Sequence, residues 1–243
     1  MRGRIHSIET GAAVDGPGVR FVLFTQGCML RCKYCHNPDT WDVKGGREVT
    51  VSEMLQEIRP YVGLLKRSGG GLTVSGGEPL YQAHFVGELF RRVCAEYGVH
   101  TALDTQGFLH RNVSDAWWNE VDLTLLDIKH IRADAHRELT GVDLAPTLEC
   151  ARRLAGLGKK MWIRYVLVPG HTDAQADVEA HADFVASLGP AVERVEVLPF
   201  HKLGEDKWAK LNLRYDLTNT PAPDFDMIKR VVETYRSRGL QAY

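Results

Sequence analysis

The sequence has no excess of charge of either sign: 30 Lys and Arg stand against 31 Asp and Glu, for a formal net charge of -1 over 243 residues. That balance leaves no basic footprint for nucleic acid or for an acidic membrane surface, so neither is expected as a partner. No stretch approaches the roughly 18 consecutive apolar residues of a membrane helix. Met1 to Thr10 lacks the apolar core of an export signal, and a cytoplasmic location is the expectation. An even set of cysteines is missing too. Five is an odd number, and without an export signal a disulfide framework is not expected, which leaves metal binding or catalysis for at least some of them. Internal repeats, low-complexity tracts and a shift to linker composition are absent, so residues 1–243 are expected to form a single domain.

What is present is a rhythm. Short apolar, β-branched runs at Val19 to Phe24, Leu72 to Val74, Thr101 to Asp104, Leu123 to Ile128, Trp162 to Val168 and Val192 to Leu198 read as strands. Helical patterns lie between them, over Val51 to Leu65 behind a Thr50-Val-Ser-Glu53 capping box, and over Ala83 to Tyr97, Leu144 to Leu157 and Ala174 to Leu188. A last helix is predicted to start near Pro223 and to bury Phe225, Ile228, Val232 and Tyr235. Alternation of this kind predicts an α/β fold with a parallel sheet. The long connection Phe200 to Ala222, with Lys202, Lys207, Trp208 and Tyr215, is expected to be a lid or a docking surface.

In such folds binding groups collect at the carboxyl ends of the strands. The glycines of Ser68-Gly-Gly-Gly-Leu-Thr-Val-Ser-Gly-Gly-Glu-Pro79 are read as crowding the end of the second strand, where backbone can approach a ligand closely. Asp104-Thr-Gln-Gly107, Asp127-Ile-Lys129 and Pro199-Phe-His201 end later strands, and Arg164 lies within one. Each has a plainer explanation. Asp127 and Lys129 share a strand face and could form a local ion pair, Asp104 could cap a helix, and Tyr34, His36 and His201 could simply pack. Convergence of the whole set on strand ends points to a site.

The densest signal is Cys28-x3-Cys32-x2-Cys35. Three thiolates can hold three corners of an iron-sulfur cube and leave the fourth iron open for a substrate, whereas a fully ligated metal is structural or only carries electrons. Other chemistries compete for these residues. Cys32-Lys-Tyr-Cys35-His36 matches the haem-attachment pattern, which belongs to exported proteins. Three cysteines and His36 suit a tetrahedral zinc, although zinc ligands usually come as two separated pairs and these fall within nine residues. A redox pair would leave Cys28 unexplained. Cys94 and Cys150 stand apart in helical segments and are expected to be small buried hydrophobes.

The cysteine triad, with Tyr34 before its last member, resembles the signature of radical S-adenosylmethionine enzymes. The likeness extends along the chain. Asp15-Gly-Pro-Gly18-Val-Arg20, Gln26-Gly-Cys28, Tyr34-Cys-His-Asn37, Asp39-Thr-Trp41, Ser75-Gly-Gly-Glu78, Trp162-Ile-Arg164-Tyr and Val168-Pro-Gly170 together resemble the family of pyruvate formate-lyase activating enzymes. Activases of other glycyl-radical enzymes commonly insert a cysteine-bearing, ferredoxin-like segment after the first motif, and this sequence has none.

The resemblance implies a partial, open (β/α)6 TIM-like barrel and an oxidoreductase. A 4Fe-4S cluster on Cys28, Cys32 and Cys35 would reductively cleave S-adenosylmethionine, and the 5′-deoxyadenosyl radical would abstract hydrogen from a glycine of pyruvate formate-lyase. It further implies that Gly77 meets the methionine ammonium of the cofactor and Lys129 its carboxylate. Tyr34, His36, Asp127, Ile128 and His201 would line the nucleoside pocket, and Arg164 would position substrate or the cofactor carboxylate. A monovalent cation is implied near Asp104, Thr105 and Asp127, and a flavodoxin or ferredoxin as electron donor. Gln106 stands where the resemblance leads one to expect Asn, and Pro79 where it leads one to expect a small residue. Two other classes stay open at this point: a radical enzyme acting on a small molecule, and a non-enzymatic zinc-binding or electron-carrier module.

Overall fold

The computed structural model describes residues 1–243. All six expected strands form, as β2 (Arg20–Thr25), β4 (Gly71–Gly76), β5 (His100–Thr105), β6 (Leu123–Asp127), β7 (Met161–Leu167) and β8 (Val192–Pro199). Two strands that no apolar run announced join them, β1 (Arg2–Ala12) and β3 (Arg47–Thr50). The order is β3-β1-β2-β4-β5-β6-β7-β8. β2 pairs in parallel with β4, β4 with β5, and β7 with β8, while β1 runs antiparallel to both β2 and β3. This open, mostly parallel sheet with helical connections is the α/β, partial (β/α)6 arrangement expected.

Two compact units make up the chain, and β6 begins in one and ends in the other. The first holds residues 1–29, 40–105 and 109–125. Its helices are α1 (Val51–Ile58), α2 (Val62–Arg67) and α3 (Ala83–Tyr97). The capping box forms as read, with Thr50 accepting from the Glu53 amide and Glu53 from the Thr50 amide. The single helix expected beyond it is broken at Arg59–Tyr61, because Pro60 has no amide hydrogen to continue the ladder. Met54, Leu55 and Ile58 of α1 and Phe85, Leu89 and Phe90 of α3 are buried with Phe21 and Val74 of the sheet.

In this unit the Asp15-to-Arg20 motif lies at the amino end of β4. Arg20 is completely buried, donating through Nη2 to Leu72 O at 2.6 Å and through Nε to Thr73 Oγ1 at 2.8 Å. Burial pulls its pKa down to about 10, so it stays cationic. The Gly69-Gly-Gly71 run serves this same end: a Cβ on Gly70 would fall 1.8 Å from Val19 O. These glycines let two backbones meet, and only Gly76 and Gly77 stand at the carboxyl end of β4 where a ligand was expected.

The second unit holds residues 30–39, 106–108 and 126–243. Its helices are α4 (Ala133–Thr140), α5 (Ala145–Gly156), α6 (Gln175–Ser187), α7 (Glu205–Lys210) and α8 (Phe225–Arg236). Its core includes Ile163, Tyr165, Val178, Ala182, Val195, Val231 and Tyr235. The last helix starts at Phe225, two residues after Pro223, with Asp224 as its cap. That phase buries Val231, Val232 and Tyr235 and leaves Phe225 77% exposed, contrary to the expected inward face. Cys150 is wholly buried as expected, but Cys94 is exposed. No helix of the chain is long and apolar enough to cross a membrane.

Candidate functional site

In the first unit, Cys28 follows β2 and lies beside the carboxyl end of β4. Gly77 N donates to Thr25 O and Glu78 N to Gly27 O, both at 2.9 Å, so the Gly76-Gly-Glu78 turn is laced onto the residues preceding Cys28. A methyl group on Gly77 would fall 2.3 Å from Gly27 O and 3.3 Å from Cys28 Cβ. Gly77→Ala is therefore expected to displace the backbone before Cys28 and to cost about 1–3 kcal/mol by overpacking. Urea unfolding of the metal-free protein measures the loss, and unchanged stability would refute it.

Glu78 is fully buried and accepts from Leu80 N at 2.9 Å and Thr105 Oγ1 at 2.6 Å. Thr105 thus spends its hydroxyl hydrogen on Glu78. Asp104 Oδ2 accepts from Ser75 Oγ at 2.6 Å, which links neighbouring strand ends. No helix is capped by Asp104, since the next helical turn starts at His110.

In the second unit, the loop of residues 30–39 is held from two sides. On one side α4 lends its last carbonyls: Arg31 N donates to Thr140 O at 2.7 Å and Lys33 N to Leu139 O at 2.9 Å. Lys33 Nζ adds an ion pair with Glu138 at 2.7 Å. On the other side stands the segment expected to be a lid or docking surface. Trp208 is only 7% exposed, and its Nε1 donates to Cys35 O at 2.8 Å. Lys207 Nζ donates to Asn37 Oδ1 at 2.8 Å and lies 3.0 Å from Asp39 Oδ2. Lys207 and Trp208, two of the residues marked in that segment, are thus turned inward onto the chain's own cysteine loop.

His36 and His201 are brought together, their rings stacked at 4.2 Å, with His36 Nε2 donating to His201 O at 3.1 Å. Tyr34 is buried with Leu139, Val168, Phe200 and Leu217, and its hydroxyl has no hydrogen-bond partner. Burial drives its phenol pKa far upward, so it remains neutral. Lys129 Nζ lies 3.1 Å from Asp127 Oδ2 and 5.5 Å from the centre of the Tyr34 ring. Burial works against its charge, but the fields of Asp127 and its other neighbours outweigh burial and hold its pKa well above the ordinary lysine value. Arg164 pairs with Glu196 across β7 and β8 at 3.1 Å, so its charge is already met within the sheet.

Ile128, between Asp127 and Lys129, is completely buried. Its carbonyl lies 3.1 Å from His181 Nε2, and Tyr235 Oη lies 2.8 Å from His181 Nδ1. A carbonyl only accepts, so Nε2 carries the hydrogen and Nδ1 accepts from the tyrosine. Burial lowers the His181 pKa to about 3, which fixes the neutral ring. His181, Tyr235 and α4 were not legible as contributors to the site. The histidine and tyrosine act across 53 and 54 residues of sequence, and α4 has few apolar residues to mark it.

None of the five cysteines is in a disulfide; Cys32 is buried, and Cys28 and Cys35 are partly exposed. Three cysteines outside any disulfide in one short loop, two of them partly exposed, are a donor set that fits an iron-sulfur cube with one iron lacking a protein ligand. No three His, Cys, Asp or Glu side chains converge on a point where a single ion would sit. A cube binds each thiolate through a different iron and calls for a wider spread than one ion does.

The fold and the loop have counterparts among known proteins. Residues 14–142 match the family model of a 4Fe-4S single cluster domain. A pyruvate formate-lyase-activating enzyme from Staphylococcus epidermidis is 46% identical over 97% of this chain and 95% of its own length. Among solved structures, a domain of a pyruvate-formate lyase-activating enzyme from Bacteroides vulgatus superposes with a TM-score of 0.60 at 25% identity, over 72% of this chain and 98% of that one. Streptococcus suis SuiB bound to S-adenosylmethionine shares the fold, with a TM-score of 0.69 at 17% identity over 94% of this chain and 50% of that one.

Proposed function

We propose, for a chain that belongs to the family of pyruvate formate-lyase-activating enzymes, that it is the activase that installs the glycyl radical of pyruvate formate-lyase. The observation that carries this reading is the set of three disulfide-free cysteines, Cys28, Cys32 and Cys35, in a loop tied down on both sides. The 4Fe-4S cluster and S-adenosylmethionine, when bound, supply one-electron cleavage of the sulfonium and the carbon radical that takes hydrogen from the partner's glycine. The chain's residues bind, orient and shield.

Cys28, Cys32 and Cys35 would hold three irons as thiolates. Gly77 has its amide engaged with Thr25 O, so it would offer a carbonyl to the methionine ammonium, the type of group an ammonium needs. Lys129 has three donors and can serve Asp127 and the methionine carboxylate at once. The stacked His36 and His201, with Tyr34, Asp127 and Ile128, would line the nucleoside pocket. A monovalent cation drawn by the carboxylates of Asp104 and Asp127, with Thr105, belongs to the same reading. So do residues 1–243 working as one catalytic domain, a flavodoxin or ferredoxin as electron donor, and a cytoplasmic location.

The test mixes the anaerobically reconstituted protein with a reductant, S-adenosylmethionine and pyruvate formate-lyase. Electron paramagnetic resonance should show an organic radical on the partner that depends on all three additions. Cleavage of S-adenosylmethionine without that radical would move the substrate to a small molecule. Zinc in place of iron and sulfide would remove the enzyme reading altogether.

A further inference from the structure

We infer that the segment from His201 to Trp208 is a clamp that sets the second half of the cysteine loop, Cys35 to Asp39, before any metal arrives. The purpose assigned to the clamp rests on the cluster-binding reading above; the clamp itself rests on contacts within the protein. Four of them reach the loop independently. The indole of Trp208 has one polar atom, and it is spent on the carbonyl of Cys35 at 2.8 Å. The Lys207 ammonium spans Asn37 Oδ1 and Asp39 Oδ2 at 2.8 and 3.0 Å. The carbonyl of His201 receives His36 Nε2 at 3.1 Å while the two rings stack. At Gly204 the segment comes so close that an added Cβ would stand 2.6 Å from His36 Cα and 3.1 Å from Cys35 O.

Neither partner would hold its shape alone. α7 has six residues, too few to persist as an isolated helix, and no side chain caps its start. Residues 30–39 form no β-strand to anchor them. An unsupported loop would have to give up its conformational freedom when it binds metal, and contacts made in advance remove that penalty. Trp208 is in turn braced by the edge of Tyr215, with ring centres 5.3 Å apart. The division of labour is the useful feature. α4 fixes Arg31 and Lys33, and the clamp fixes Cys35 and the residues after it, so loss of the clamp should free one half of the loop and spare the other.

Trp208→Phe keeps a ring in the packing and removes the donor. The experiment is hydrogen-deuterium exchange of the full-length, metal-free, reduced protein, wild type against Trp208→Phe and, separately, Lys207→Met. Loss of one net hydrogen bond predicts that the amides of Cys35, His36, Asn37 and Asp39 exchange about tenfold faster while those of 30–33 keep their rate. The reconstituted Trp208→Phe protein should also release iron to a chelator about tenfold faster than wild type, since the same preorganisation is lost. Unchanged exchange at 35–39 in both variants would overturn the clamp. So would equal acceleration over 30–39 and β2, which would mean general loosening. Because exchange is read without metal, failure of the cluster-binding reading would leave this result standing, and the reverse also holds.

Discussion

Alanine in place of any one of Cys28, Cys32 or Cys35 is expected to reduce the formation of 5′-deoxyadenosine from S-adenosylmethionine to the level of a protein-free control. The reason is stoichiometric. A cube with one open iron has three protein ligands and no spare, so losing one thiolate leaves a second iron bare and the assembly labile. The two remaining cysteines are the internal controls. Cys94 is exposed and Cys150 is wholly buried and outside the loop, and Cys94→Ala and Cys150→Ala should both retain cleavage. Cys150→Ala should lose about 1 kcal/mol of stability, as an ordinary core truncation does. Chromatographic quantitation after dithionite reduction, together with iron and sulfide analysis, decides the matter. A single-cysteine variant that kept both its iron and its cleavage activity would remove that residue from the ligand set.

The second large effect is expected at Lys129. Its ammonium and the Asp127 carboxylate face each other at 3.1 Å with side-chain exposures of 12% and 20%. Lys129→Met would leave a mostly buried carboxylate without its cation, and breaking such a pair costs about 3 kcal/mol, the lower end of the usual range because some solvent reaches both groups. In a chain of this length that corresponds to a fall in Tm of roughly 6–12 °C. Asp127→Asn on the same background removes the stranded charge and should restore part of the loss, while binding of S-adenosylmethionine stays weak in both variants.

The sign of the pH dependence follows from the raised lysine pKa. The pair's contribution is complete below the ordinary lysine value and is lost only as the pH climbs through the higher folded value. The difference between wild type and Lys129→Met should therefore be flat across neutral pH and shrink in strong alkali. Calorimetry at several pH values measures it. A Lys129→Met protein as stable as wild type would show that the pair carries no weight in the fold.

Much of this architecture could be read from one sequence, and the failures have identifiable causes. β2 and β6 are short, nearly continuous apolar runs, and β8 alternates Val with charged residues, so both kinds of strand pattern stood out. β1 did not, because its register with β2 shifts between Ile5 and Ser7 and again between Thr10 and Ala12, which breaks the two-residue alternation. α4, Ala-Asp-Ala-His-Arg-Glu-Leu-Thr, has a single leucine and so no apolar stripe to mark it, although Gly141 just after it adopts the left-handed conformation that ends helices. The cysteine triad is local and was legible. Its clamp was not, since Trp208 lies 173 residues from the carbonyl it holds and a tryptophan beside lysines looks like an outward-facing patch. The same blindness placed Phe225 inside and Cys94 out of reach of solvent, when the structure has both exposed.

One feature of the first unit bears on how the protein behaves when crowded. β2 is apolar along nearly its whole length and, left uncovered, would offer its open hydrogen-bonding groups to any passing chain. β1 occupies that flank, and beyond it the outermost position falls to β3, which has only four residues and begins with exposed Arg47 and Glu48. A rim so short and so charged gives an incoming strand little to zip onto, so accidental fibre growth is discouraged at that side of the molecule.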